Sequence, residues 1–111
     1  MGKFKAGDPY PDGGSERIFD EICTAWSLSD EERQKLRQRA LEREGIEGYI
    51  EISRIYRALH AIFADCEEGR ADGWVRRANR RYEGASALQH MIDRPGGISE
   101  VRGYVMSQIV G

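Results

Sequence analysis

Several things are scarce in this chain, and each scarcity removes a class of function. Cysteine occurs twice in 111 residues, as Cys23 and Cys66, with neither the spacing nor the neighbours of a metal site. With only His60 and His90 beside them, zinc is not expected, and the two thiols read as small apolar side chains of a reducing compartment. No apolar run approaches the roughly 20 residues that span a bilayer. The start, Met1 to Tyr10, lacks the apolar core of a signal peptide, so the expected location is cytoplasmic, with no membrane partner. Charge of one sign is missing too. Seventeen Lys and Arg face nineteen Asp and Glu, for a net charge of -2, which is not the balance of a chain built to neutralise phosphates. No segment alternates apolar and polar residues with period two, and no repeat or low-complexity tract occurs, which leaves out a sheet and a solenoid. What is present is 40% hydrophobic and 32% charged residues, the composition of one globular domain with a heavily charged surface.

The helical pattern is clear. Residues 1–14, with Pro9, Pro11, Gly13 and Gly14, read as a flexible tail. Ser15 then caps a helix through Trp26, with Ile18, Phe19, Ile22 and Trp26 at helical spacing. Ser29 and Glu32 form a capping box that starts a helix over Asp30–Glu44, thinly anchored by Leu36, Ala40 and Leu41. Gly45 and Gly48 are expected to break it. Tyr49 to Ala64 carries the best apolar stripe, Ile52, Ile55, Tyr56, Leu59, Ile62 and Phe63, with Glu51, Arg54 and Arg57 outside it, and is the expected spine of the core. A helix over Glu67–Arg77 with Trp74 and Val75 inward, a turn from Asn79 to Ala85, a helix from the Ser86 cap to Asp93, and a last helix from the Ser99 cap to Val110 complete the chain. The expected fold is an all-α bundle of about five to six helices with no sheet. Residues 15–48 form its N-terminal helices and 49–111 its C-terminal part.

The order Trp74, Asn79, Tyr82, Gly84, Ser86, Leu88, Met91, Gly97, Val101, Arg102, Tyr104, preceded by the helix Ile52–Phe63, resembles the toxin-binding domain of Xre/MbcA/ParS-type antitoxins over roughly residues 50 to 111. Ala78 stands where that family usually has Pro, Tyr82 where it has Phe, and Ala87 where Pro often opens the next helix. The resemblance implies a type II antitoxin without cofactor or catalytic residue. Its cognate partner would be a RES-domain toxin, a relative of ADP-ribosyltransferases that consumes NAD or transfers ADP-ribose. The toxin would be held by direct binding, with the antitoxin's C-terminal segment across the mouth of the active site. On this sequence that segment corresponds to Arg102, Tyr104, Val105, Met106, Gln108, Ile109, Val110 and Gly111. The resemblance also implies a homodimer within a larger complex, for which the apolar face of the first helix, Ile18, Phe19, Ile22 and Trp26, is one location; packing on the third helix is the simpler use of that face.

The residues themselves leave some roles open. Trp74, Asn79, Tyr82 and Gly84 suit a bend, because Asn and Gly tolerate left-handed angles and the aromatics pin a turn to the core. The last helix ends in apolar residues that need burial either in this chain or in a partner. Arg76, Arg77, Arg80 and Arg81, with Arg70 nearby, suit a solvated face, an acidic toxin surface or DNA phosphates. A DNA-binding autoregulator using that patch is therefore the alternative function. Against it, Met1 to Gly48 holds eight Lys and Arg and eleven Asp and Glu, and the W-S-L-S-D-E-E entry is not followed by a separate recognition helix, so this half reads as a truncated or degenerate helix-turn-helix region. Arg33, Arg37 and the Arg76 to Arg81 group keep a weaker DNA contact open. No nucleophile is placed beside either histidine, and no enzyme activity is expected.

Overall fold

The computed structural model describes residues 14–42 and 47–110. Among the described residues six α-helices follow one another: α1 Gly14–Ala25, α2 Asp30–Leu41, α3 Glu47–Ile62, α4 Arg70–Trp74, α5 Ala87–Asp93 and α6 Gly97–Val110, with a 3-10 turn at Arg80–Tyr82 before α5. No strand or sheet occurs among the described residues, and Ala78 and Ser86 make one isolated bridge across the turn. No described helix is long and apolar enough to cross a membrane. Almost all of the expected flexible tail lies outside the described residues, as do Glu44, Gly45 and Gly111; Gly14, placed in that tail by sequence, opens α1 and is buried.

The spine is α3, with α1, α2, α4 and α6 packed around it and α5 bracing α2 and α6. One apolar cluster draws Phe19, Ile22 and Trp26 from α1 and its turn, Leu36 and Ala40 from α2, Ile52, Ile55 and Leu59 from α3, and Val101 and Val105 from α6. Each large side chain buried this way contributes about 1.5–3 kcal/mol. Phe19, Ile22 and Trp26 of the α1 face are buried in this core, α1 packing on α3, while Ile18 of the same face is only partly buried. The Ser29–Glu32 capping box is formed: the Ser29 hydroxyl accepts from the Glu32 amide at 3.1 Å, and the Glu32 carboxylate accepts from the Ser29 amide at 2.9 Å. Ser86 caps α5 in the same way, accepting from the Gln89 amide at 3.0 Å.

Four expectations are corrected. Gly48 does not break a helix but sits in the first turn of α3, where it lets α3 press against the backbone of α2: a Cβ there would overlap the Ala40 main chain, 2.6 Å from its carbonyl carbon. Leu41 is exposed, because α2 anchors through Leu36 and Ala40 alone, a quarter turn away. Ser99 is not a cap, since α6 already begins at Gly97; its hydroxyl donates instead to the Glu51 carboxylate, at 3.0 Å to the nearer oxygen. Glu51, expected outside the stripe, is only 7% exposed, and it also accepts from the Arg102 Nε at 3.2 Å. A buried carboxylate persists only when donors surround it, and here two residues of α6 supply them. These bonds join the start of α3 to the start of α6, so the two helices run parallel and end together.

Polar side chains hold the N-terminal helices. The Arg37 guanidinium reaches Glu16 at 2.8 Å and Asp20 at 3.0 Å, and Arg33 lies 3.6 Å from Asp20. Arg39 donates to the carbonyls of Ile92 at 2.7 Å and Asp93 at 3.1 Å, satisfying orphan acceptors at the end of α5. The arginines of α2 thus tie it to α1 and α5.

Candidate partner-binding site

The turn before α5 is built from its own backbone. The Asn79 amide carbonyl accepts from the Arg81 N–H at 2.9 Å, the Asn79 N–H donates to the Ala85 carbonyl at 3.0 Å, and the Gly84 N–H donates back to the Asn79 carbonyl at 2.9 Å. Glu83 and Gly84 both take left-handed angles, φ 56° and 92°, a bend that glycine makes without strain. The closed loop delivers Tyr82 inward and Arg81 outward. Tyr82 is buried, stacked on His90 with ring centres 4.4 Å apart and set edge-on to Tyr104 at 6.5 Å. Burial pushes its phenol above the ordinary tyrosine value, with the Arg81 guanidinium opposing.

Tyr104 is where the motif residues meet. Its ring stacks with Trp74 at 6.3 Å and 17° between planes, and the Arg81 guanidinium lies over it at 4.3 Å. Asn79 and Gly84 shape the turn, while Trp74 and Tyr82, placed by sequence with the structural signature, also contact Tyr104 of the expected partner segment. Trp74 is half-buried rather than inward like the fully buried Val75. Tyr104 borders two depressions. On one side lies an open polar groove of about 790 Å³ bordered by Arg81, His90, Arg94, Glu100 and Gly103. On the other lies an apolar pocket of about 130 Å³ between the ends of α3 and α6, walled by Ile62, Phe63, Trp74, Tyr104 and Gln108, with Leu59 and Val105 beneath.

The remaining site residues separate. Gln108 is exposed and Ile109 is 46% exposed; Met106 is half-buried against the core. Val105, expected on the partner face, is 1% exposed and belongs to the core, because it falls on the α3 side of α6. Arg102 is spent in part on Glu51. Gly111 and the side chain of Val110 lie outside the described residues. The arginine run does not form one patch: Arg76 turns toward α2 and pairs with Glu32 at 3.2 Å, Arg81 stacks on Tyr104, and Arg77 and Arg80 are exposed. Glu32 is held below the usual carboxylate range by the Ser29 amide first and Arg76 second. Arg33 and Arg37, which kept a weaker DNA contact open, are engaged with α1.

His60 pairs with Asp72 at 2.9 Å and His90 with Glu100 at 2.6 Å, so each histidine faces a carboxylate. The Cys23 thiol is pushed up to about 11 by burial, which keeps it protonated and unreactive at neutral pH. No group of three His, Cys, Asp or Glu residues able to hold a metal occurs among the described residues. Ile62 and Phe63 were missed as surface residues. They close the apolar stripe of α3, and that stripe looks the same whether its last turn is covered or open.

No protein-family profile and no solved structure matches this chain. It is similar to "Uncharacterized protein y4oB" of Sinorhizobium fredii (strain NBRC 101917 / NGR234), with 32% identity in an alignment of 105 residues that covers 81% of this chain and 80% of that protein. At that identity and coverage, the chain belongs to the family of y4oB.

Proposed function

We propose that this protein is the antitoxin of a type II toxin–antitoxin pair and neutralises a RES-domain toxin by direct binding, the last turns of α6 obstructing the toxin's active site. The observation that carries the reading is the meeting of Trp74, Tyr82 and Tyr104, residues of the antitoxin-like order, around Tyr104 next to an apolar end of the bundle. At that end Ile62 is 36% and Ile109 is 46% exposed, and a pocket stands open between the helices. Apolar surface gathered at one end, with aromatic walls, is what a protein interface requires. An inhibitor of this kind works by occupancy. It needs shape and an anchor, not a nucleophile or cofactor.

The test is co-expression with the product of the adjacent gene, scoring growth, intracellular NAD and co-purification. Rescue of growth together with a stable complex is the expected result. A toxic neighbour that this chain neither rescues nor binds refutes the reading. The DNA-binding alternative then moves forward, with affinity for duplex DNA that falls steeply with salt as its mark.

A further inference from the structure

The apolar pocket at the end of α3 and α6 has a charge pattern of its own. Its wall Phe63 carries the Arg70 guanidinium at 6.0 Å from the ring centre, and its wall Tyr104 carries the Arg81 guanidinium at 4.3 Å. Two exposed cations therefore sit on aromatic walls of the pocket without lining it, Arg70 near Phe63 and Arg81 on Tyr104 from the side of the polar groove that it borders. Elsewhere in the described residues, Arg33, Arg37, Arg39, Arg76 and Arg102 pair with carboxylates of this chain. Arg70 and Arg81 form no such ion pair among the described residues, and both are exposed. A guanidinium held over a ring keeps its N–H groups free to donate to a carboxylate; Arg81 lies close on Tyr104, and Arg70 stands farther out, over Phe63. The pocket, about 130 Å³, matches one apolar side chain, and Gln108 lies at its edge.

Resting on the antitoxin reading above, we propose that the toxin docks here through one apolar side chain seated between Phe63, Trp74 and Tyr104, with carboxylates beside it that pair with Arg70 and Arg81. The pattern selects a protein over a nucleic acid, because a duplex offers phosphates to the arginines but no apolar side chain to fill the pocket between the aromatic walls. It also assigns a division of labour: the pocket supplies the buried anchor, and the two arginines steer the approach and fix its register.

Binding of the toxin from the adjacent gene to the full chain, titrated at several salt concentrations, tests this. The double variant Arg70→Glu/Arg81→Glu is expected to weaken binding at least about tenfold and to flatten its salt dependence. Gln108→Trp, a change at an exposed position that fills the pocket, is expected to weaken binding by at least about tenfold with the salt dependence retained. Thermal melting of each variant should match the parent. If the reversal variant melts early, Arg70→Gln/Arg81→Gln is read in its place. Unchanged affinity in either the charge or the pocket variant overturns the docking site while the parent's complex leaves the antitoxin reading intact. No complex with the parent chain removes both.

Discussion

Replacing glycine by alanine at two helical positions should change stability in opposite directions. On helix propensity alone each change stabilises, by at most about 1 kcal/mol. At Gly103, in α6, an added Cβ meets nothing within 4 Å, so the propensity gain is expected in full and the melting temperature rises by about 4–5 °C. At Gly48 the Cβ would overlap the carbonyl oxygen, Cα and carbonyl carbon of Ala40. To restore ordinary carbon–carbon contact, α2 and α3 must part by roughly 1 Å. The obstructing atoms are main chain and have no rotamer to change, so the upper part of the overpacking range applies, about 3 kcal/mol. Set against the propensity gain, Gly48→Ala loses about 2 kcal/mol, or about 10 °C in melting temperature. Circular dichroism melts of the two variants and the parent are sufficient. Gly48→Ala melting at or above the parent would refute the close approach of α2 and α3.

Four further outcomes are expected. Deleting Met106 to Gly111 should abolish neutralisation of the co-expressed toxin while the shortened chain stays helical, and neutralisation at unchanged dose would remove α6 as the obstructing element. Trp26→Ala should cost about 3–5 kcal/mol in chemical denaturation, because Trp26 is 1% exposed, whereas half-buried Trp74→Ala should cost about 1–3 kcal/mol and weaken toxin binding. Equal losses would show that Trp74 is a core residue only. Ser29→Ala should cost about 1 kcal/mol at pH 7. Glu32, whose folded value is lowered, adds stability above its unfolded value near about 4.3 and loses it as pH falls through the folded one, so the destabilisation by Glu32→Gln should shrink with acidification in that window. A Glu32→Gln deficit that is constant from pH 7 to pH 3 contradicts that assignment.

Much of the fold was legible because it is local. The Ser29–Glu32 box and the Ser86 cap act within four residues, and the stripe of α3 follows from helical periodicity. The all-α class followed from the same signals. Helix starts were misplaced at Gly48 and Ser99, since both have the residue type of a boundary but are used for contact with a neighbouring helix. Of the site, the aromatic and arginine residues were singled out, but Val105 and Arg102 were assigned outward. Val105 is turned to α3, and Arg102 meets a carboxylate 51 positions earlier in the chain.

The sequence by itself determined roughly where helices form, which residues cap α2 and α5 and which stripe faces inward, because those depend on backbone groups and side chains a turn or two apart. Only the tertiary structure decided which charges are spent and which stay open. Glu51 is buried because α6 brings Ser99 and Arg102 over it; Arg76 finds Glu32, while Arg70 and Arg81 find aromatic rings. An arginine's local sequence does not say whether a carboxylate or a ring will lie beneath it, since that partner is delivered by another element of the fold.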